Sequence, residues 1–171
     1  WLVLRQAGIP FEEVRIPLYC PGSDAALAKW SPSGKVPALH DGAVTVWDSL
    51  AICETLAERF PEKRLWPVDA AARATARAVS AEMHAGFAAL RTHMSMNIRA
   101  RRPGRGRTPE CLADIGRIVA IWTTCRTRYG ADGAFLFGDF SIADAMYAPV
   151  VLRFQTYGVA LNGAAKSYAE T

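Results

Sequence analysis

Lys35, Val36, Pro37, Asp48 and Ser49 are the residues of this chain whose types and spacing could hold a charged peptide. Lys35-Val36-Pro37 opens an apolar run, Val36–His40, and a second run, Ala43–Trp47, follows across Asp41-Gly42. An Asp-Gly pair between two such runs predicts a hairpin, because both central positions accept positive φ. Asp48 and Ser49 come next, and Leu50, Cys53, Leu56, Ala57 and Phe60 then recur at helical spacing. Ser49 is suited to cap that helix. Free N–H groups and the dipole at a helix start attract a carboxylate, to which the Ser49 hydroxyl can add a hydrogen bond. Asp48 can pair with a nearby ammonium group. Pro37 cannot donate to a ladder. If the Val36–Pro37 bond is cis, Val36 offers its own N–H and C=O to an extended peptide as an added half-strand. Lys35 is then placed for a second carboxylate. Alone, these residues read as a turn lysine, an edge proline, a turn acid and a helix cap; one ligand with an amino-acid head group and a distal carboxylate accounts for them together.

The elements that must position them follow from periodicity. Trp1–Ala7 reads as a helix ended by Gly8 as a left-handed cap. Val14, Ile16 and Leu18 alternate with Arg15 and Pro17, predicting a strand with Pro17 at its edge or end. Asp24–Lys29 predicts a short helix before the turn-rich Trp30–Gly34, and Pro61 ends the helix that starts at Ser49. After Leu65-Trp66-Pro67 the strand signals stop, and helical patterns cover Asp69–Met96, Pro109–Tyr129 and Ser141–Tyr157. The expected organisation is an α/β domain over residues 1–67 and an all-helical domain over 68–171.

Composition narrows the classes of function. The chain has 171 residues, 51% of them hydrophobic, enough for a real core. It holds no uncharged apolar stretch long enough to span a membrane and no recognisable signal peptide. Cys20, Cys53, Cys111 and Cys125 lie far apart without metal-ligand spacing, which predicts free thiols in a reducing, cytoplasmic setting, with Cys53 on the apolar face of a helix. His40, His84 and His93 have no metal partners at helical spacing. Trp30 and Trp47 read as packing residues, and Trp30 is also close enough in the chain to Lys35 to border the site. The net charge of +4 slightly favours anionic small molecules. Arg99–Arg107 holds five arginines. It reads as a solvated interhelical loop or a rim that attracts anions; nucleic acid is disfavoured because no aromatic residues interleave.

Ser31-Pro32-Ser33-Gly34-Lys35-Val36-Pro37-Ala38-Leu39, followed by Asp48-Ser49-Leu50-Ala51-Ile52, resembles the glutathione-site signature of the cytosolic (bacterial) glutathione transferases. Glu58-Arg59-Phe60-Pro61 and Leu65-Trp66-Pro67 are similar to the close of that family's N-terminal domain. Gly138-Asp139-Phe140-Ser141-Ile142-Ala143-Asp144 resembles the motif opening its buried core helix. Ser141 and Asp144 there have capping-box spacing, with Asp in place of the usual Glu or Gln. The likeness covers nearly the whole chain. It implies an α/β thioredoxin-like domain whose first strand is expected upstream of Trp1, then an all-α domain expected to continue beyond Thr171.

By the same resemblance, glutathione is the co-substrate and a hydrophobic electrophile its partner. A homodimer is implied, with no metal, nucleic acid or membrane. Lys35, Val36, Pro37, Asp48 and Ser49 would hold glutathione, the γ-glutamyl end at Asp48 and Ser49 and the glycyl end at Lys35. The Tyr, Ser or Cys that meets the sulfur is expected before Trp1, so no catalytic residue is assigned. Activating a thiol by ~2 pKa units takes ~2.7 kcal/mol of thiolate stabilisation. Alternatives are a non-catalytic binding or regulatory protein of this type, and a glutathione-dependent isomerase or thiol reductase. Met83, Phe87, Leu90, His93 and Met94 lie where the family builds its electrophile pocket; from the residues alone they read as core.

Overall fold

The computed structural model describes residues 1–171. Helix α1 (Leu2–Gln6) stops in a double turn: the Ile9 N–H donates to the Leu4 carbonyl at 3.0 Å and the Gly8 N–H to that of Arg5 at 3.2 Å. Gly8 sits between them at φ 62°, where a side chain would be strained. Leu4 and Ile9 are both buried, so the turn also closes an apolar contact.

The strand expected over Val14–Leu18 does not form. Its alternation is real, but a strand exists only with a hydrogen-bonded neighbour; the one sheet has two strands, both later in the chain. Pro17 also lacks a donor, and Val14 and Leu18 are exposed. The segment is pinned instead by the Ser23 hydroxyl, which donates to the Pro17 carbonyl at 2.9 Å at the start of helix α2 (Ser23–Trp30).

Strands β1 (Ala38–Asp41) and β2 (Val44–Trp47) form the antiparallel hairpin, with Ala38 opposite Trp47 and Asp41 opposite Val44. Gly42 turns it at φ 60°. Helix α3 (Ser49–Arg59) packs against both strands and buries Ile52, Cys53 and Leu56. Its far end is tied back by a 2.6 Å ion pair between Arg59 and Asp41.

The chain separates into two units, Trp1–Arg64 and Leu65–Thr171. The second is built from α4 (Ala70–Ala85), α5 (Ala88–His93), α6 (Pro109–Tyr129), α7 (Ile142–Tyr157) and α8 (Gly163–Ala169). The single helix expected over Asp69–Met96 is therefore two. The break falls at Gly86, where an added Cβ would lie 2.7 Å from the Glu82 carbonyl oxygen, and at Phe87, which turns through φ 58° to bury its ring. The restart is capped from elsewhere, since Asp114 of α6 accepts the Leu90 N–H at 2.9 Å. Local periodicity carries no trace of a cap that arrives from a different helix.

Helix α7 is the axis of this unit. Ile142, Ala143, Tyr147, Val150 and Phe154 are buried along it, and the Tyr147 hydroxyl donates to the Val79 carbonyl of α4 at 3.1 Å. Trp122 of α6, fully buried, meets the rings of Tyr147, Phe154 and Tyr168 at centroid distances of 5.9, 5.4 and 5.0 Å. Offset and edge-on contacts of this kind add to the burial of the rings.

The start of α7 is fixed by Asp144. Its carboxylate accepts the Ser141 N–H at 2.8 Å, the Ser141 hydroxyl at 2.9 Å and the Leu136 N–H at 3.0 Å. Burial pushes this carboxyl up, against the hydrogen bonds that pull it down. Asp144→Ala strands the Leu136 N–H in the core, so urea unfolding should show a loss of about 2–4 kcal/mol. Asp144→Asn, which keeps an acceptor, should cost less than Asp144→Ala; equal costs would assign the effect to packing alone.

Candidate functional site

The hairpin register assembles the candidate site. With Ala38 opposite Trp47, the next positions outward are Pro37 and Val36 on one strand and Asp48 and Ser49 on the other. Both pairs leave the sheet at the same end, and α3 begins there. The Val36–Pro37 bond is cis. Lys35, Val36, Pro37 and Asp48 are exposed and Ser49 is half-buried. The Val36 N–H and C=O take part in no intramolecular hydrogen bond and lie beyond the ladder.

The approach to Val36 is shaped by a turn: the Gly34 N–H donates to the Ser31 carbonyl at 3.1 Å, with Gly34 at φ 63°. The Ser31 and Ser33 hydroxyls are 3.1 Å apart. One ring fastens this loop to the hairpin. His40 Nε2 lies 2.6 Å from the Trp30 carbonyl, and its Nδ1 lies 3.2 Å from the Thr45 hydroxyl. Trp30 meets the imidazole edge-on at 5.6 Å. His40 is thus a strut between α2 and β1, a role the sequence alone did not single out. The cue was its two-residue spacing from Ala38 within the first strand run.

Asp48, not Ser49, caps α3. Its Oδ1 accepts the Leu50 N–H at 2.9 Å and the Ala51 N–H at 3.3 Å, while its carbonyl accepts the Ile52 N–H at 3.0 Å. Ser49 is the first helical residue. Asp is as good a cap as Ser and stands one position earlier, where the backbone (φ 74°, ψ 132°) is still outside the helix. Two of the N–H groups expected to be open to an anion are therefore taken by Asp48. What remains at the helix start is the Ser49 N–H and hydroxyl, neither of which has a protein partner.

Other expectations resolve residue by residue. Trp47 is 47% exposed, so it is not a packing residue of its own unit; Trp30 is half-buried. Met83, Phe87, Leu90 and Met94 are buried in the helical unit, whereas His93 is exposed. Cys53, one turn beyond Ser49, is buried, and burial pushes its thiol up to about 11. At neutral pH it stays protonated and is no nucleophile. Burial likewise pushes Cys125 to about 11 and raises Cys111. No three His, Cys, Asp or Glu side chains converge as a metal site, and no helix is long and apolar enough to cross a membrane.

A hairpin whose open end meets a helix start, followed in the chain by a helical unit built on a capped central helix, defines a class. Residues 1–59 match the glutathione S-transferase N-terminal domain and residues 69–168 the glutathione S-transferase C-terminal domain. The chain belongs to the glutathione S-transferase family, with a thioredoxin-like N-terminal domain and a helical C-terminal domain. It is 25% identical over 164 residues to the stringent starvation protein A homolog of Haemophilus ducreyi, covering 95% of this chain and 72% of that protein. It is 26% identical over 153 residues to glutathione S-transferase Z2 of Arabidopsis thaliana, covering 86% and 69%. A glutathione transferase homolog from Burkholderia, solved with bound glutathione, shares the fold at a TM-score of 0.71 and 22% identity, covering 99% of this chain and 80% of that one.

The cysteine environments make a direct prediction. A thiol reagent at about pH 8 should label one cysteine of the native protein rapidly, the exposed Cys20, and all four after denaturation. Cys53 and Cys125 should become reactive only as the pH rises toward their raised values near 11. Rapid native labelling of Cys53, read by peptide mapping, would show that its pocket opens.

Proposed function

We propose that this protein binds glutathione at the open end of the hairpin and transfers it to hydrophobic electrophiles. The observation that carries the reading is the Ala38–Trp47 register: past its end Val36 keeps its N–H and C=O unpaired on one strand, and on the other Ser49 opens α3 with an N–H and hydroxyl that bond no protein group. The peptide backbone of glutathione would pair with Val36 N–H and C=O, the cis Val36–Pro37 bond marking where the ladder ends. The γ-glutamyl carboxylate would meet the Ser49 N–H and hydroxyl, its ammonium group the Asp48 carboxylate, and the glycyl carboxylate Lys35. Residues 1–67 would form the glutathione-binding domain and 68–171 the helical domain of a cytoplasmic homodimer. The group that activates the sulfur is not assigned to any residue between Trp1 and Thr171. Family membership and the glutathione bound in a protein of this fold support the reading.

A second reading is favoured by one observation. The relatives matched over 95% of the chain include proteins named for stringent starvation and not for a transfer reaction. On that reading the same site binds glutathione, or a similar peptide, without turnover. An isomerase or thiol reductase using glutathione is a nearer variant of the first reading; the protonated Cys53 lends the reductase nothing.

Calorimetry with glutathione, followed by conjugation to a generic aryl halide in the same sample, separates these. Binding with turnover establishes the transferase. Binding without it supports the second reading, and no binding at millimolar glutathione removes the site. Ser49→Ala should weaken glutathione by about 1–3 kcal/mol through a lost bond to a charged group. Asp48→Asn keeps a capping oxygen, so its stability should stay within about 0.5 kcal/mol of wild type. Its affinity should nevertheless fall by about 1 kcal/mol or more as the charge partner of the ammonium disappears. Unchanged affinity in Asp48→Asn would assign Asp48 to the cap alone.

A further inference from the structure

Six arginines (Arg91, Arg99, Arg101, Arg102, Arg105 and Arg107) and no Asp or Glu lie between Glu82 and Glu110. Part of this charge has structural work. Arg91 donates to the Met83 and Gly86 carbonyls at 2.6 and 3.1 Å, and Arg107 to that of Gly158 at 3.0 Å. Arg102 lies against the Tyr157 hydroxyl. The other three do not share in it: Arg99 and Arg105 are exposed with no side-chain bond, and Arg101 reaches only its neighbour's carbonyl at 3.2 Å. None of the six forms an ion pair with a carboxylate.

The loop that carries them is held, not loose. The Arg102 N–H donates to the Thr156 carbonyl at 2.7 Å and the Gly104 N–H to that of Tyr157 at 3.0 Å. The Thr156 hydroxyl donates to the Asn97 carbonyl at 2.9 Å, and Arg153 Nε to that of Met94 at 3.0 Å. The backbone therefore caps the C-terminal end of α7. Neutralising that end does not account for the charge, because a helix terminus carries only about half an elementary charge. Two exposed apolar residues of the same segment, Met96 at 45% and Ile98 at 57%, immediately precede these arginines in the chain, and the Met96 sulfur lies 3.7 Å from an Arg153 nitrogen.

We propose that residues 96–105 form a docking surface for an acidic protein segment that carries apolar side chains among its carboxylates. Guanidinium groups recognise carboxylates through paired donors, and Met96 and Ile98 give the apolar side chains of such a segment a place to lie. A nucleic acid would leave both uncovered, and residues 95–108 include no aromatic ring on which a base could stack. A loop already pinned to α7 has little ordering left to lose on binding.

The test uses the whole chain and a fluorescent synthetic peptide of about a dozen residues in Glu-Glu-Leu repeats, read by anisotropy. An all-Glu peptide and a uridine oligonucleotide of equal length serve as comparators. At about 50 mM salt the Glu-Glu-Leu peptide should bind tighter than either comparator and weaken steeply by about 300 mM. The triple variant Arg99→Gln, Arg101→Gln, Arg105→Gln should lose at least ~10-fold in affinity. Met96→Ser with Ile98→Ser should lose ~3-fold or more for Glu-Glu-Leu and little for all-Glu. Because all five side chains are exposed, unchanged circular dichroism and thermal midpoint identify variants that kept the fold; the ranking of the three probes on the wild-type chain tests the proposal without any variant. Absent binding, an indifferent triple variant, or an oligonucleotide bound as tightly as the Glu-Glu-Leu peptide would each overturn it.

Discussion

Of the N–H groups that open α3, Asp48 satisfies those of Leu50 and Ala51 and leaves that of Ser49 without a protein partner. A helix start leaves its first donors without intrahelical partners, and one carboxylate oxygen takes two of them while the same residue's carbonyl accepts the first helical bond, from Ile52. The cap turns the chain at once from β2 into α3, with no loop between sheet and helix. That abruptness starts α3 two residues past the last strand pair, Ala38–Trp47, and the candidate site consists of little more than the chain segments that leave the hairpin at that end. The cap contributes roughly 1 kcal/mol, a modest stability term with a large geometric consequence.

A second carboxylate does the same work in the helical unit under different conditions. Asp144 serves the start of α7 from within the core and gathers donors from Ser141 and from Leu136, a residue outside the helix. Exposed Asp48 gives up a hydrated oxygen at little cost. Asp144 is desolvated, so each donor it holds offsets part of a penalty that grows with burial. The exposed cap leaves the neighbouring Ser49 N–H and hydroxyl without a protein partner. The buried one leaves nothing open and acts as a structural lock.

At the other helix ends, arginine is the recurring device. Arg91 closes α4, Arg126 closes α6 by donating to the Gly130 and Gly133 carbonyls at 2.7 Å, and Arg107 with Arg153 closes α7 and its loop. A planar group with five donors suits several carbonyls pointing the same way. Arg99, Arg101 and Arg105 stand out against this use because they sit on the same docked loop without taking part in it. The loop read from composition as solvated is so for its side chains, while its backbone belongs to the end of α7.

The family was legible in the sequence through the likeness of Ser31–Leu39, Asp48–Ile52 and Gly138–Asp144 to a known signature, and the elements around the proposed site through local signals: Asp41-Gly42 for the hairpin, helical spacing from Leu50, a capping box at Ser141. Other features needed partners distant in the chain. The alternation of Val14–Leu18 cannot say whether a strand lies beside it, and the break at Gly86 depends on a backbone approach and on Asp114 of another helix. Ser49 and Asp48 are both good caps, and only the backbone angles at the corner chose between them. The sequence by itself determined the hairpin turn at Asp41-Gly42, the helical course of α3 and the capping box that opens α7, because those depend mainly on neighbours within about four residues. The tertiary structure alone decided which donors stay free for a ligand, because a hydrogen bond already made inside the protein is invisible until both partners have been brought together.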